Sequence, residues 1–482
     1  MMNKQFYLAL WRWHFFAGLY AVPFVLMLSV TGLVMLAHPW TDAWQFGDQL
    51  THVEAPTINS ASTAERISSD EQLATVAKAY PDLVPAQFVP PIGDTQSSIF
   101  KMRGENSTTL LVFVNPYSGE ILGHFNSADR WYSIADDIHG TLMIGAVGDA
   151  LIELSAGLMI FLLVSGLYLH WPRNSSAVKD MLFPVFLRQL FSADFLVPKK
   201  LRILFGSQKS PRSLWKDFHA SLGFYLTIFI LFFAITGMAW TGIWGQKLVQ
   251  PFSSFPVEKR ASFWKSDIDH SQLNHGQLND GELNEIPWNL EQVPLPQSTI
   301  DDLDSLSLDA IIEQGLMLGF QLNDENRFRV ALPLTPEGVY TLMSITSSRD
   351  IVNPMQDRTL HIDQYSAEIL ADIGWENYNL GAKAMALGIP LHKGTLGVWN
   401  LVLAILVCLL FVLLAVSGVI LWWRRKPSGS FAAPKSGALD KISGSAKAII
   451  FISVLLGLCF PVMGVAMIIF YLFELSIRLI TK

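Results

Sequence analysis

Four of the eleven histidines stand in matching places along the 482 residues. His14 and His219 lie 205 residues apart, and Gly18, Thr31 and Gly32 recur at the same offset as Gly223, Thr236 and Gly237. His139 opens HGTLMIG and His392 opens HKGTLG. A neutral imidazole is a common metal ligand. Two of them, from facing helices, can hold a b-type haem at its two axial positions with no covalent link. His14 with His219 and His139 with His392 are the pairs this chemistry needs. A lone histidine at a helix end also serves as an interfacial residue or a cap, and duplication copies such features too. His38 and His170 face Ile243 and Trp422 in the repeat and are read as structural or interfacial. His170 is placed to replace one member of the His14/His219 pair. The two cysteines, Cys408 and Cys459, both sit in apolar runs, so neither CxxC nor CxxCH occurs and any redox centre is built without sulfur.

The elements that position these residues belong to a membrane. Apolar residues make up 51% of the chain and charged residues 16%, against about 25% charge in a soluble protein. Disorder, a collagen-like fibre and a disulfide scaffold are excluded, and a net charge of −7 gives no reason to expect nucleic acid. A spanning helix needs about 20 apolar residues. Five stretches qualify: Phe15–Ala37, Ala150–Trp171, Leu222–Trp244, Leu396–Trp423 and Ala448–Tyr471. The first is read as a retained span, because His38-Pro39-Trp40 stands where a small-residue cleavage site would be.

Charge orients the spans. Residues 172–218 hold nine Lys/Arg against three Asp/Glu, and 424–447 hold six against one. Residues 38–138 hold five against thirteen, and 245–391 hold nine against twenty-one. The positive-inside rule places the N-terminus and the basic segments in the cytoplasm and the two acidic segments outside. The expected fold class is a mainly α integral membrane bundle of about five spans with two periplasmic α+β domains. Its parts are a first span (1–37), an outer domain (38–138), a second span (139–173), a basic cytoplasmic linker (174–212), a third span (213–244), an outer domain (245–391), a fourth span (392–426), and a linker with the fifth span (427–482).

The unit of span, outer domain and span occurs twice. Ser165–Arg173 reads SGLYLHWPR and Ser417–Arg425 reads SGVILWWRR; VNPYSGEILG (Val114–Gly123) matches IDQYSAEILA (Ile362–Ala371). Each outer domain is expected to carry one helix, Ser69–Tyr80 or Leu308–Gly319, and then short strands. The strands are Ser98–Arg103, Leu110–Val114 and Glu120–Phe125 in the first domain, and Arg327–Leu332, Tyr340–Ile345 and Thr359–Ile362 in the second. If helical throughout, the 26 residues from His139 to Ser165 would extend about 39 Å. The second span is therefore expected to project beyond the hydrocarbon, with Asp149 and Glu153 facing a polar interior. Gly18, Gly32, Gly223 and Gly237 permit close backbone approach. Trp11, Trp13, Phe15, Phe16, Trp215 and Phe218 are candidates to cover a porphyrin face.

Taken as a set, RWHFFAG and WKDFHASLG, the HG and HKG openings, SGxxLxW and the VNPYSGEILG turn resemble the PepSY-associated transmembrane proteins. These are iron-regulated or siderophore-reducing proteins of the bacterial inner membrane. The likeness runs to about residue 426 and departs at Ala367, where glycine is expected, and at the fifth span. It implies two non-covalent b-type haems, with His14, His219, His139 and His392 as axial ligands to their iron. It also implies a ferric reductase passing electrons outward to ferric iron or a ferric siderophore. The donor is expected to be quinol or a separate cytoplasmic reductase, since no Gly-rich dinucleotide fingerprint follows a strand. Tyr117, Trp131 and Tyr365 are candidate wall residues for the acceptor, and packing explains them equally well. The alternatives are a non-enzymatic siderophore or haem permease, or a sensor built on the outer domains.

Overall fold

The computed structural model describes residues 4–54, 57–59, 62–63, 65–104, 108–171, 211–250, 286–293, 295–299, 303–323, 325–425 and 444–480. The basic linker expected over 174–212 lies, but for its last two residues, outside the described residues. So does 427–443. The chain divides into two units: 1–31, 139–246 and 405–482 form the first, and 32–138 and 247–404 form the second.

The first unit is helical. It holds most of α1 (Lys4–Leu36), the end of α4 (Trp131–Thr141), then α5 (Ala146–His170), α6 (Pro211–Tyr225) and α7 (Thr227–Gly237). The C-terminal part of α10 (Val398–Arg425), α11 (Gly444–Cys459) and α12 (Pro461–Ile480) complete it. Gln5–Leu36, Ala146–His170 and Val398–Arg425 are long and apolar enough to cross a membrane. Trp215–Tyr225 and Thr227–Trp240 make a fourth span if counted together, bent by 58°. At that bend the Thr227 hydroxyl donates to Gly223 O (3.2 Å), a back-bond that bends helices. Leu406, Leu409 and Leu413 leave α10 exposed on one side, as lipid-facing side chains would be.

Two expectations change here. The fifth stretch, 448–471, is not one helix: it breaks at Phe460-Pro461, where proline cannot continue the amide ladder. A side chain on Gly464 would meet Gly457 O at 2.2 Å, so the two apolar helices close tightly on each other. The length conflict between His139 and Ser165 also disappears, because α4 ends at Thr141 before α5 begins. Leu142, Met143 and Gly145 all take positive φ in that break. Asp149 and Glu153 then satisfy backbone: Gly242 N donates to Asp149 Oδ2 (2.8 Å), and Ile243 N and Trp244 N donate to Glu153 Oε2 (3.3 and 3.1 Å). These amides lie free of a helical ladder, where the third span loses its regular helix.

The second unit is built on an eight-stranded antiparallel sheet. Its order is β10-β9-β8-β7-β3-β4-β5-β6. The strands are β3 (Val84–Val89), β4 (Ser98–Arg103), β5 (Thr109–Val114), β6 (Ile121–Asn126), β7 (Arg329–Ala331), β8 (Val339–Ser344), β9 (Arg358–Asp363) and β10 (Ile369–Gly374). The two acidic segments therefore contribute to one sheet, joined where β3 pairs with β7 through Gln87↔Ala331 and Phe88↔Val330. Alternate side chains on the strands face opposite layers. Phe88, Phe100, Met102, Val112 and Val114 pack with Val330, Leu342, Leu360 and Ile362 under α3 (Ser69–Ala79) and α8 (Leu308–Met317). On the other face Leu50, Leu111 and Phe113 form one cluster. Ile286, Leu290, Met343 and Ile373 form another with Ala382 and Ala386 of α9 (Leu380–Lys393). Covered on both faces, β5 runs apolar from Leu110 to Val114.

Candidate functional site

His14 lies on α1 and His219 on α6, both in the first unit, within electrostatic range of each other. Each is seated on a Ser-Gly pair of another helix. His14 Nδ1 is 2.8 Å from Ser165 Oγ on α5, and His219 Nδ1 is 2.7 Å from Ser417 Oγ on α10. The serine hydrogens are committed elsewhere: Ser165 Oγ donates to Phe161 O (2.7 Å), and Ser417 Oγ to Leu414 O (2.6 Å). A hydroxyl has one hydrogen, so in each contact the imidazole is the donor. Both rings are therefore fixed as the Nδ1–H tautomer, which leaves the Nε2 lone pair available.

The glycine after each serine makes the space. A methyl group on Gly166 would stand 3.3 Å from His14 Cε1, and one on Gly418 would stand 3.4 Å from His219 Cε1. The SG dipeptide thus has a physical role in both repeats: the serine orients the ring and the glycine lets it approach. The hydroxyl alone is not diagnostic, since buried His361 pairs with Thr341 Oγ1 at 2.9 Å inside the sheet.

His139 follows the same logic with a different residue. Its Nδ1 is 2.8 Å from Thr31 Oγ1, which donates to Met27 O (2.9 Å). His139 again donates from Nδ1 and keeps Nε2 open. His139 belongs to the first unit and His392 to the second, where it is the penultimate residue of α9. Neither opens its span as expected. Both end a short helix that precedes the span, and Gly394 and Gly397 (φ 67° and 87°) make the second break.

The remaining histidines take other surroundings. His38 Nδ1 lies 3.7 Å from Asp42 Oδ2, and its ring meets Tyr132 edge-on at 5.4 Å. His170 ends α5 with a buried Nε2 that has no hydrogen-bond partner among the described residues. Several aromatics expected around a porphyrin are engaged by protein. Trp13 and Phe16 pack on Phe470 of α12 (5.2 and 5.3 Å), and Arg425 lies over Trp11 and Phe15 (4.7 and 4.9 Å). Phe470 of α12 and Arg425 of α10 thus cover this stretch of α1. Tyr117 and Tyr365 hold turns: their hydroxyls donate to Asp94 O (2.9 Å) and Pro336 O (3.0 Å). Trp131 meets Trp44 edge-on at 5.8 Å.

The seats fit a haem ligated through Nε2 by paired histidines. Metal-bound imidazoles carry an acceptor on the other ring nitrogen, and here the duplication repeats it. Among the described residues no group of three or more His, Cys, Asp or Glu converges as a metal cage. Sequence reasoning singled out Ser165, Gly166, Ser417, Gly418 and Thr31 as repeated letters without their role. The contacts that define the role span 108 to 198 residues of chain.

The model for the PepSY-associated TM region matches residues 11–425 of the chain. No curated protein matches the chain.

Proposed function

The chain belongs to the PepSY-associated TM family, and from that premise we propose that it is a di-haem b-type ferric reductase of the bacterial inner membrane. The single observation that carries this reading is the repeated histidine seat, His14 on Ser165-Gly166 and His219 on Ser417-Gly418. His14 and His219 would hold one haem, and His139 and His392, the other repeated pair, a second. When bound, b-type haem supplies one-electron chemistry, and two in series supply a route across the bilayer. The residues themselves transfer no proton to substrate. Ser165, Ser417 and Thr31 keep the rings in one tautomer, and Phe470 of α12 packs on Trp13 and Phe16 beside His14.

With the basic segments inside, the His14/His219 end faces the cytoplasm and the sheet unit faces the periplasm. The acceptor is ferric iron or a ferric siderophore, whose hold on iron weakens on one-electron reduction. The donor is quinol or a separate cytoplasmic reductase. The balance for quinol is two electrons and two protons released for every two Fe(III) reduced to Fe(II).

The test is the purified protein in detergent, with oxidised and dithionite-reduced spectra and haem counted per chain. Two b-type haems are expected, falling to one in His14→Ala and in His139→Ala, with reduction of a ferric chelate by the quinol-reduced wild type. Folded protein without haem, made with ample haem supply, overturns the reading in favour of a permease or sensor.

A further inference from the structure

The short helix that follows the first span carries its tryptophans on the outside. α2 (His38–Phe46) begins one residue after α1, with Pro39 in its first turn, where a missing N–H breaks no helical hydrogen bond. Trp40 and Trp44 are 61 and 81% exposed. Four residues apart, they share one face of the helix. Asp42, Gln45 and Phe46 hold the opposite face to the protein. Nε and Nη2 of Arg130 donate to Asp42, Gln45 Nε2 donates to Asp129 O (2.6 Å), and Phe46 stacks on Phe125 with ring centres 3.8 Å apart.

The apolar face continues onto α4. Gln45 Oε1 accepts from Trp131 N (3.0 Å), the first amide of α4, and Trp44 meets the Trp131 ring edge-on. Ile134, three residues further on, is exposed on the same side of α4 as Trp131. Three indoles and an isoleucine thus form one bare surface on two helices that are locked together by their polar groups. Asp42, the one carboxylate of α2, is turned into the joint, and Asp137, the next exposed residue of α4, marks the limit of the surface. A contiguous apolar patch of this kind marks a surface that something covers.

Chain continuity says what covers it. Counted from Phe15, where the apolar stretch begins, α1 has travelled about 33 Å on reaching Leu36, one hydrocarbon thickness. Trp40 and Trp44 follow within about 6 and 12 Å of helix, the depth of a headgroup layer and its edge. Indole suits that layer, because its ring is apolar and its N–H is a donor for ester and phosphate oxygens. We propose that α2 and the first turn of α4 form an interfacial plate. It is seated among the glycerophospholipid headgroups of the leaflet that α1 leaves at Leu36, with Trp40, Trp44, Trp131 and Ile134 turned towards the acyl chains. The plate ties the start of α4, the helix that carries His139 in its last turn, to the membrane surface. This assignment depends neither on haem nor on which side of the membrane that leaflet faces.

The test uses the full-length chain in nanodiscs of phosphatidylcholine and phosphatidylglycerol. Cys408→Ser and Cys459→Ser form the background, and a bimane label is placed on one introduced cysteine at a time. Trp40→Cys, Trp44→Cys, Trp131→Cys and Ile134→Cys report on the plate. Leu409→Cys, exposed on the α10 span, is the lipid reference, and Glu120→Cys, exposed in the turn between β5 and β6, is the aqueous one. Each label is quenched by iodide in the water and by 5-doxyl phosphatidylcholine in the bilayer. The lipid-to-iodide quenching ratio should be severalfold higher at each plate position than at Glu120. Ratios equal to that of Glu120 overturn the proposal. So does protection from both quenchers while the two references respond, which would assign the face to protein, a second copy of the chain included. p-Benzoylphenylalanine at Trp44, in the chain with its own cysteines, gives an independent reading. Photocross-links to phospholipid support the plate, and cross-links to protein alone overturn it.

Discussion

The carboxylate of Asp70 accepts the amide hydrogens of Leu308 and Asp309 at 2.8 and 3.0 Å, and Asp309 accepts those of Ser69 and Asp70 at 2.8 and 3.2 Å. Two helix N-termini, one from each repeat, thus cap each other. Each has its own serine as well: Ser68 Oγ accepts from Glu71 N (3.1 Å), and Ser307 Oγ from Ala310 N (3.2 Å). Carboxylates belong at helix starts, where unpaired amides carry partial positive charge.

Asp309→Ala removes the acceptor for two amides and should cost about 1–2 kcal/mol, the scale of a lost cap. Burial would raise the Asp309 carboxyl, but bonds from Asp70 and the amides of Ser69 and Asp70 outweigh it and hold it below the usual range. Its contribution is therefore present above the unfolded value, about 3.9, and disappears as pH falls through the folded one. Denaturant unfolding of wild type and variant at neutral and acid pH measures both statements; curves that stay parallel would contradict the second.

Ser165→Ala and Ser417→Ala each leave an imidazole in place but remove the acceptor on Nδ1. Loss of such a partner weakens metal-ligand binding roughly 10–100-fold. Haem retention during competition with an apo-globin should fall by that order in each variant. A retention curve matching wild type would show that the hydroxyls only pack.

Gly166→Val and Gly418→Val place branched side chains where a single methyl already stands 3.3 and 3.4 Å from His14 and His219. One of the two haem signals should disappear while the other persists. The same substitution at Gly140, which has nothing within 4 Å, should leave the spectrum alone.

Ala367 occupies the turn position that Gly119 holds in the first repeat, with φ 63° against 72°. Both turns rest on one side chain: Asp363 Oδ1 accepts from Tyr365 N and Ser366 N (both 2.9 Å), and Asn115 Oδ1 from Tyr117 N (2.9 Å). Ala367→Gly should raise stability by about 0.5–1 kcal/mol, the left-handed strain relieved less the entropy glycine adds. Gly119→Ala should lower it, because its methyl would also stand 2.8 Å from Ile67 Cδ1. Unfolding midpoints of the two variants should move in opposite directions.

Burial, with Asp350 nearby, raises the Asp357 carboxyl to about 7 even though Thr346 N and Oγ1 donate to it at 2.8 and 3.2 Å. The folded value lies above the unfolded one of about 3.9, so the folded state binds the extra proton between them. Stability from this group is greatest below about pH 4 and declines until about pH 7. Asp357→Asn imitates the protonated form. Between pH 5 and pH 8 the wild type should lose stability relative to the variant, and an unchanging difference would refute the assignment.

Much of this architecture was legible in the residues. β4 occupies the expected Ser98–Arg103, and α3 and α8 begin at Ser69 and Leu308 as expected. Periodicity and serine caps are local signals. β3 was not legible, because Pro81, Pro85, Pro90 and Pro91 read as turns. Pro85 is tolerated because pairing with β7 begins only at Gln87. The four histidines stood out because each recurs. What orients them did not, since a hydroxyl 151 residues away leaves no local trace.

The seam between β3 and β7 also bears on ancestry. A chain with one repeat would end its sheet at that strand, an open edge inviting another strand. A second copy would satisfy it, with the Asp70-like carboxylates exchanged about a twofold axis. In the present molecule the two repeats meet within one chain, and continuity removes the requirement that both halves stay alike. His139-Gly140 and His392-Lys393 record that freedom. A charge introduced once in a symmetric dimer arrives twice; Lys393 stands in one half only, so the two halves are free to differ.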